Sequence, residues 1–363
     1  MNIEFNTFKH LSKKYGDEYK QALNRVVDSA WYILGNEVIS FEEQFASYCK
    51  AKHCIGLNSG LDALILSIRA LGIGHGDEII VPANTYIATV LSITENHAIP
   101  VFVEPDEYYC LDASKIELAI TKNTKAILSV HLFGQACDMT SICDIAKRYG
   151  LFVIEDCAQS HAVYFNGQMT GTFGTAGCFS FYPTKNLGAL GDAGAVVTNN
   201  DELTDKLRML RNYGSKVKYY NDIEGVNSRM DEMQAAILSV KLSHLSDLTS
   251  ERVRIANKYL NSIKNNKIIL PKTRDNANHV YHLFVIRTKE RDKLQQYLLE
   301  NGIKTQIHYP IPPHLANCYK YLGYKKGNFP ITEQYANESL SLPLYNGMSE
   351  EEIDWVIEKI NEF

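Results

Sequence analysis

The sequence predicts an α/β protein with a mostly parallel, helix-covered central sheet, followed by a smaller C-terminal α+β domain. Two observations carry this expectation. From about Cys54 to Asn200, short apolar runs of strand length alternate with stretches of helical period, the pattern of strand–helix–strand units. From roughly Arg229 to Asn265 two long helical patterns follow one another instead. At 363 residues the chain also exceeds one simple core. The expected division is 1–240, including the N-terminal segment, and 241–363.

Taken in order, Asp62–Leu71 (DALILSIRAL) reads as a helix and Glu78–Val81 as the strand after the turn Gly72–Asp77. Thr89–Asn96 is helical and Ile99–Val103 a short apolar strand. Asp112 and Ser114 can cap a helix carrying Ile116 and Ile120. Ala126–Phe133 is a strand, and Asp138–Tyr149 sets Met139, Ile142, Ile145 and Tyr149 on one helical face. Leu151–Glu155 has the unbroken apolar character of a buried parallel strand. In the tail, Tyr281–Arg287 is a strand and Arg291–Asn301 a helix. The Pro-rich loop Tyr309–Pro313 and a closing helix from Glu351 follow.

Composition narrows the function classes. Hydrophobic residues are 45% and charged residues 22%, as in globular proteins, and the net charge of −5 offers nothing to nucleic acid or an anionic membrane. Met1–Lys20 holds no apolar run of signal-peptide type, and no stretch approaches the ~20 apolar residues of a membrane span. Eight cysteines are scattered without a C-x-x-C pair, which favours buried reduced thiols over disulfides or a metal site and fits the cytoplasm.

Ligands of parallel α/β sheets gather at the carboxyl ends of strands, and three loops at such positions stand out. Asn58-Ser59-Gly60 precedes a helix, where free amides at the positive end of the dipole suit a phosphate; a plain N-cap is the competing reading. Asp156 follows the strand LFVIE, with Gln159 three residues on, and a carboxylate there can hold a protonated ring nitrogen or simply begin a solvated turn. Lys185 lies between the apolar run Phe179–Phe181 and the Gly-rich turn through Gly188, Gly191 and Gly194. Burial lowers a lysine's pKa and leaves it nucleophilic toward an aldehyde, whereas the alternative is a lysine snorkelling at a strand end. Ser180 is placed to donate to a phosphate. Phosphate cradle, pyridinium carboxylate and desolvated lysine are together the three fixtures that pyridoxal phosphate (PLP) requires.

The chain resembles the DegT/DnrJ/EryC1/StrS family, sugar aminotransferases of PLP fold type I (aspartate aminotransferase-like). The resemblance runs over nearly its whole length. It is carried by NSGLDAL (58–64), GDEIIVPANTYIAT (76–89), VHLFGQ (130–135), VIEDCAQSH (153–161), GCFSFYPTKNLGALGDAGAVVTN (177–199), RMLRNYGS (208–215) and NSRMDEMQAA (227–236). By that resemblance Lys185 carries PLP as a Schiff base and moves the proton during transfer. Asp156 holds the pyridinium and Gln159 faces the ring's 3-hydroxyl. Ser180 and the backbone of Ser59, Gly60 and Leu61 bind the phosphate, although Leu61 stands where the family often has Thr or Ser. Tyr86 stacks on the ring, its alternative being a core aromatic. Asn227 reaches the cofactor of a second subunit, which implies a homodimer with shared sites, and Arg229 beside it reads as a structural ion-pair partner.

Tyr182, Asn186-Leu187-Gly188 and the loop Ile307–His314 resemble the branch that aminates C3 of a dTDP-3-keto-6-deoxyhexose (galacto or gluco), with Tyr182, His308 and Tyr309 facing substrate; the alternative for the loop is a Pro-rich connection with a satisfied histidine. The resemblance thus implies L-glutamate as donor, pyridoxamine phosphate as intermediate and a dTDP-3-amino-3,6-dideoxyhexose as product, destined for surface polysaccharide such as the O-antigen of lipopolysaccharide, or for glycosides. The competing readings are a C4 aminotransferase on a dTDP- or UDP-4-keto sugar and a non-catalytic PLP-binding regulator; no basic helical segment for DNA is present. A Rossmann NAD site is excluded, because Gly72–Gly76 follows a helix rather than a strand.

Overall fold

A computed structural model describes every residue from Met1 to Phe363. Helix α1 (Lys9–Ser29) begins within the polar N-terminus; its buried residues, Tyr15, Tyr19, Ala22 and Val26, recur at helical spacing between charged neighbours. Helix α2 (Asn36–Cys49) buries Val38, Phe41, Phe45 and Cys49 by the same rule. Neither was expected, because one apolar residue per turn makes no visible run.

The central layer then builds up in sequence: β1 (His53–Leu57), α3 (Gly60–Ala70), β2 (Glu78–Pro82), α4 (Ile87–Thr94), β3 (Ile99–Val103), the short α5 (Ile116–Ala119), β4 (Thr124–Val130), α6 (Met139–Tyr149) and β5 (Phe152–Asp156). A small hairpin, β6 (Tyr164–Phe165) and β7 (Gln168–Met169), leads into β8 (Ala176–Ser180) and β9 (Gly194–Thr198). The seven-stranded sheet has the order β1-β9-β8-β5-β4-β2-β3. Strands β3, β2, β4, β5 and β8 run parallel, while β9 pairs antiparallel with both β8 and β1. The mostly parallel, helix-covered sheet is therefore present, with one reversed strand inserted near an edge.

Three expected boundaries move for identifiable reasons. Strand β4 ends at Val130, because Phe133 (φ 61°) and Gly134 (φ 98°) turn the chain sharply after His131. Helix α5 stops at Ala119, leaving Ile120 extended, while Asp112 caps the preceding turn by accepting from Ser114 N. The strand expected from Tyr281 starts at Phe284, because residues 279–283 bend away from the sheet direction with Tyr281 at φ 45°.

After α7 (Asp201–Leu210) an exposed hairpin, β10 (Ser215–Val217) and β11 (Tyr220–Asn221), projects from the body. Helices α8 (Glu232–Ser243) and α9 (Leu245–Ser262) realise the two long helical patterns. The rest comprises β12 (Phe284–Arg287), α10 (Arg291–Glu300), α11 (Pro330–Glu338), β13 (Ser339–Leu342) and α12 (Glu350–Glu362). Here β12 and β13 pair antiparallel, and a separate core forms around Ile255, Tyr259, Phe284, Leu294, Ile353 and Val356. Ile3 crosses over to this core, pairing with Ile303. All eight cysteines are unpaired, six of them buried, and no helix is long and apolar enough to cross a membrane.

Candidate active site

The carboxyl ends of β1, β2, β4, β5 and β8 open on one rim of the sheet. Because β9 is reversed, its first residue, Gly194, lies at the same rim, paired with Ser180. A cavity of about 450 Å³ sits there, lined by Ser59, Gly60, Leu61, Tyr86, Asp156, Gln159, Ser180, Tyr182, Lys185, His308 and Tyr309 among others. Eleven of the twelve residues singled out from sequence thus meet in one place; Asn227 does not.

The start of α3 shapes one wall. Ser59 caps the helix, its hydroxyl oxygen accepting from Asp62 N at 3.1 Å, so the plain capping role is real. It leaves the hydroxyl proton and the amides of Gly60 and Leu61 without helical acceptors, since the first turn has no preceding carbonyls. Gly60 is required by close approach: a Cβ there would come within 2.5 Å of Ser180 Cβ and 2.9 Å of its Cα. A Cβ on Gly194 would meet the Ser59 carbonyl at 2.3 Å. The two glycines let α3, β8 and β9 converge into a cradle of donors at a positive helix end, which suits a phosphate.

Opposite the cradle, Asp156 is the last residue of β5 rather than the first beyond it. One carboxylate oxygen accepts from Thr89 Oγ1 at 2.8 Å and the other from Ala158 N at 3.1 Å. Thr89 in turn shares a 2.7 Å contact with Thr85. Burial pushes the Asp156 carboxyl above its usual range, while these donors and the nearby Lys185 charge oppose the rise. Thr89 ends the GDEIIVPANTYIAT stretch, where nothing in the sequence marks a role for it. Tyr86 is the extended residue that caps α4 and Thr89 lies in the first turn, and both line the cavity.

Lys185 projects from the loop between β8 and β9, half-buried, and no side chain or carbonyl accepts from its Nζ. Its low-dielectric surroundings lower its pKa to about 8, against the opposing pull of Asp156. The loop is pinned from several sides. Lys185 N donates to Tyr182 O and Ala189 N to Phe181 O. Asn186 Nδ2 donates to Val280 O at 3.2 Å, and its Oδ1 faces His282 Nδ1 at 3.1 Å. Buried Lys241 from α8 donates to Gly188 O at 2.6 Å. Sequence reasoning did not find Lys241 or His282, because neither adjoins a motif feature that signals its target.

The remaining predicted residues fall as follows. Gln159 accepts from Phe133 N at 2.6 Å and donates to Tyr309 Oη at 3.2 Å. The half-exposed Tyr86 ring lies 5.0 Å from that of Tyr309. His308 is tied to Ser341 Oγ at 2.8 Å, and burial with the Lys185 charge lowers its pKa to about 4, so it stands neutral. Asn227 lies on a neighbouring open hollow of about 760 Å³ with Ser59, Leu61 and Asp192. Arg229 in that hollow is not an ion-pair partner as expected: it contacts Asn212 and the Tyr213 ring, and no salt bridge includes it. Behind the rim, His131, Glu155 and Cys157 have ligand atoms within 4.8 Å of one another. Glu155 is already satisfied by His131 and the amides of Gly171, Phe173 and Gly174, which makes the group a structural brace.

Residues 13–361 match the model of the DegT/DnrJ/EryC1/StrS aminotransferase family. The chain belongs to that family. A dTDP-3-amino-3,6-dideoxy-alpha-D-galactopyranose transaminase of Aneurinibacillus thermoaerophilus is 55% identical to this aminotransferase over 362 residues, covering 99% of each chain. The crystal structure of DesV of S. venezuelae, in complex with a ketimine intermediate, superposes with a TM-score of 0.98 at 44% identity, over 99% of this chain and 98% of that one. The structure of NtdA of Bacillus subtilis with bound cofactor PMP superposes with a TM-score of 0.89 at 33% identity, over 96% and 82%. This chain is a PLP-dependent enzyme of fold type I. The cavity fits the cofactor in all three of its requirements: the donor cradle, the buried carboxylate and the unbonded amine.

Proposed function

We propose that this aminotransferase moves the amino group of L-glutamate to C3 of a dTDP-3-keto-6-deoxyhexose, giving a dTDP-3-amino-3,6-dideoxyhexose for surface polysaccharide or glycoside assembly. The observation that carries the reading is Lys185, an amine with a lowered pKa facing the cavity of Asp156 and the Ser59–Leu61 cradle. End-to-end likeness to a C3 sugar transaminase directs it to that carbon. PLP supplies an electron sink for the carbon losing or gaining its proton.

The chain's own residues do the rest. Lys185 Nζ, the amine of lowered pKa in the cavity, would hold the cofactor at its aldehyde carbon and would be the group that moves the proton. Asp156 would hold the protonated ring nitrogen, and Gln159, on the same cavity wall, would face the 3-hydroxyl. Ser59, Gly60, Leu61 and Ser180 would bind the phosphate, and Tyr86 would cover the ring face. Tyr182, His308 and Tyr309 border the space left for the sugar.

The reading includes a homodimer working in the cytoplasm, where eight unpaired thiols stay reduced. Ile33 on the hollow that holds Asn227, its chain neighbours Trp31 and Tyr32, and Tyr213 against Arg229 are exposed. An apolar surface of that kind fits a second copy of the chain, whose Asn227 would complete the cofactor site. It also includes domains at 1–240 and 241–363.

Purified protein with PLP is expected to absorb in the visible, lose that band on adding L-glutamate, and then aminate a 3-keto rather than a 4-keto dTDP-sugar, with the amine located by NMR. Preference for the 4-keto sugar would refute the regiochemistry. No spectral response to glutamate would refute the enzyme reading.

A further inference from the structure

A second cavity, of about 570 Å³, adjoins the first and shares Thr184, His282, Leu283 and His308 with it. Arg252 of α9 lines this second cavity and is only 7% exposed. Its Nε and Nη2 donate to the carbonyls of Tyr281 and His282 at 2.7–3.1 Å. Nη1 has no hydrogen-bond partner in the protein, and the side chain lines the cavity.

No carboxylate lies within ion-pair distance of this arginine, although other charges on the cavity wall are matched. Lys304 pairs with Glu4 at 2.7 Å and Asp292 with Arg291 at 2.5 Å. A buried cation without a counter-ion is costly, and the cost shows as a depressed Arg252 pKa caused by burial. The catalytic cavity itself holds no arginine; its only basic side chain besides histidine is Lys185. His282 stands between, its ring kept neutral first by burial and then by the charges of Lys185 and Arg252.

We infer that Arg252 is the docking point for the distal carboxylate of the amino donor, which reaches across the seam at Thr184 and His308 while its amine lies at Lys185. The inference rests on the aminotransferase reading and adds the donor subsite to it. Guanidinium N–H groups recognise carboxylates with directional, charge-assisted bonds. One free Nη1 on an otherwise charge-balanced wall matches a single carboxylate better than the diphosphate of a nucleotide sugar.

The test is the holoenzyme Arg252→Gln, assayed in the glutamate half-reaction with L-glutamate and with L-glutamine, whose distal group is uncharged. Loss of a charge-assisted bond predicts kcat/KM for L-glutamate about 10- to 100-fold lower. The L-glutamine value and the KM of the nucleotide sugar are expected to hold. Equilibrium dialysis of 2-oxoglutarate against the cofactor-free protein is expected to weaken by a similar factor. Parallel losses for both donors would mean that Arg252 only supports the Tyr281–His282 backbone, and a raised nucleotide-sugar KM would assign the cavity to the diphosphate. Either result overturns the inference. Gln296→Glu is the companion variant: it adds a negative charge to the cavity wall and leaves the Arg252–carbonyl bonds intact. It should raise the L-glutamate KM selectively, and no change there with Arg252→Gln unfolded would also overturn the inference. Wild-type protein that responds to neither donor would refute the aminotransferase reading instead.

Discussion

Thr89→Val removes a hydroxyl that donates to buried Asp156 at 2.8 Å while preserving shape. A hydrogen bond to a charged group contributes about 1.5–3 kcal/mol, and one pKa unit corresponds to about 1.4 kcal/mol. The Asp156 carboxyl, already raised by burial, should therefore rise by a further ~1–2 units. The sign follows from which form works: the carboxylate holds the protonated ring, so a higher pKa means that function is lost sooner as pH falls. PLP binding to the cofactor-free variant, titrated by absorbance from pH 4 to 9, should show its acid midpoint displaced upward by that interval, with the alkaline limb unmoved. An acid midpoint equal to wild type would refute Asp156 as the group that reads the ring nitrogen. Circular dichroism and thermal unfolding of the variant check that it keeps the wild-type helix content and fold.

Lys185 should react with PLP, trapped by borohydride and located by peptide mass, with a pH midpoint near 8 instead of the ordinary lysine range, because burial favours its neutral form. A midpoint above 10 would contradict the desolvated environment. Gly60→Ala places a methyl within 2.9 Å of Ser180 backbone and should weaken PLP affinity at least about tenfold as the cradle opens; unchanged affinity would remove the cradle from the cofactor site. Lys241→Met leaves the Gly188 carbonyl unpaired in a buried setting and should cost about 1–3 kcal/mol in thermal unfolding, with Lys241→Gln recovering part of it.

The fold was legible where periodicity and length spoke together. Ile99–Val103 and the helix after Asp138 fall where their patterns put them, because burial on a fixed face leaves a repeating trace. α1 was missed because its four buried residues are diluted by lysines and glutamates. The reversed β9 has the same apolar composition as a parallel strand, GAVVT, so direction left no mark. At the site, Ser59, Asp156 and Lys185 were readable because glycines and strand ends flag where backbone meets ligand. Arg252 was not, since an arginine in an amphipathic helix reads as solvated, and only the tertiary structure shows that its partners are carbonyls 29 and 30 residues away.

The reversed strand ties the lysine loop down at both ends. Ser180 and Gly194 are directly paired, so the stretch bearing Lys185 is a closed ring whose two ends are fastened to adjacent strands. A slip of one residue in that pairing would turn successive side chains to the opposite face and break the meeting of Ser180 with Gly60. Only the correctly registered hairpin presents both the amine and the cradle. Because a ligand stabilises the state that binds it, bound cofactor adds its binding free energy to this one register alone.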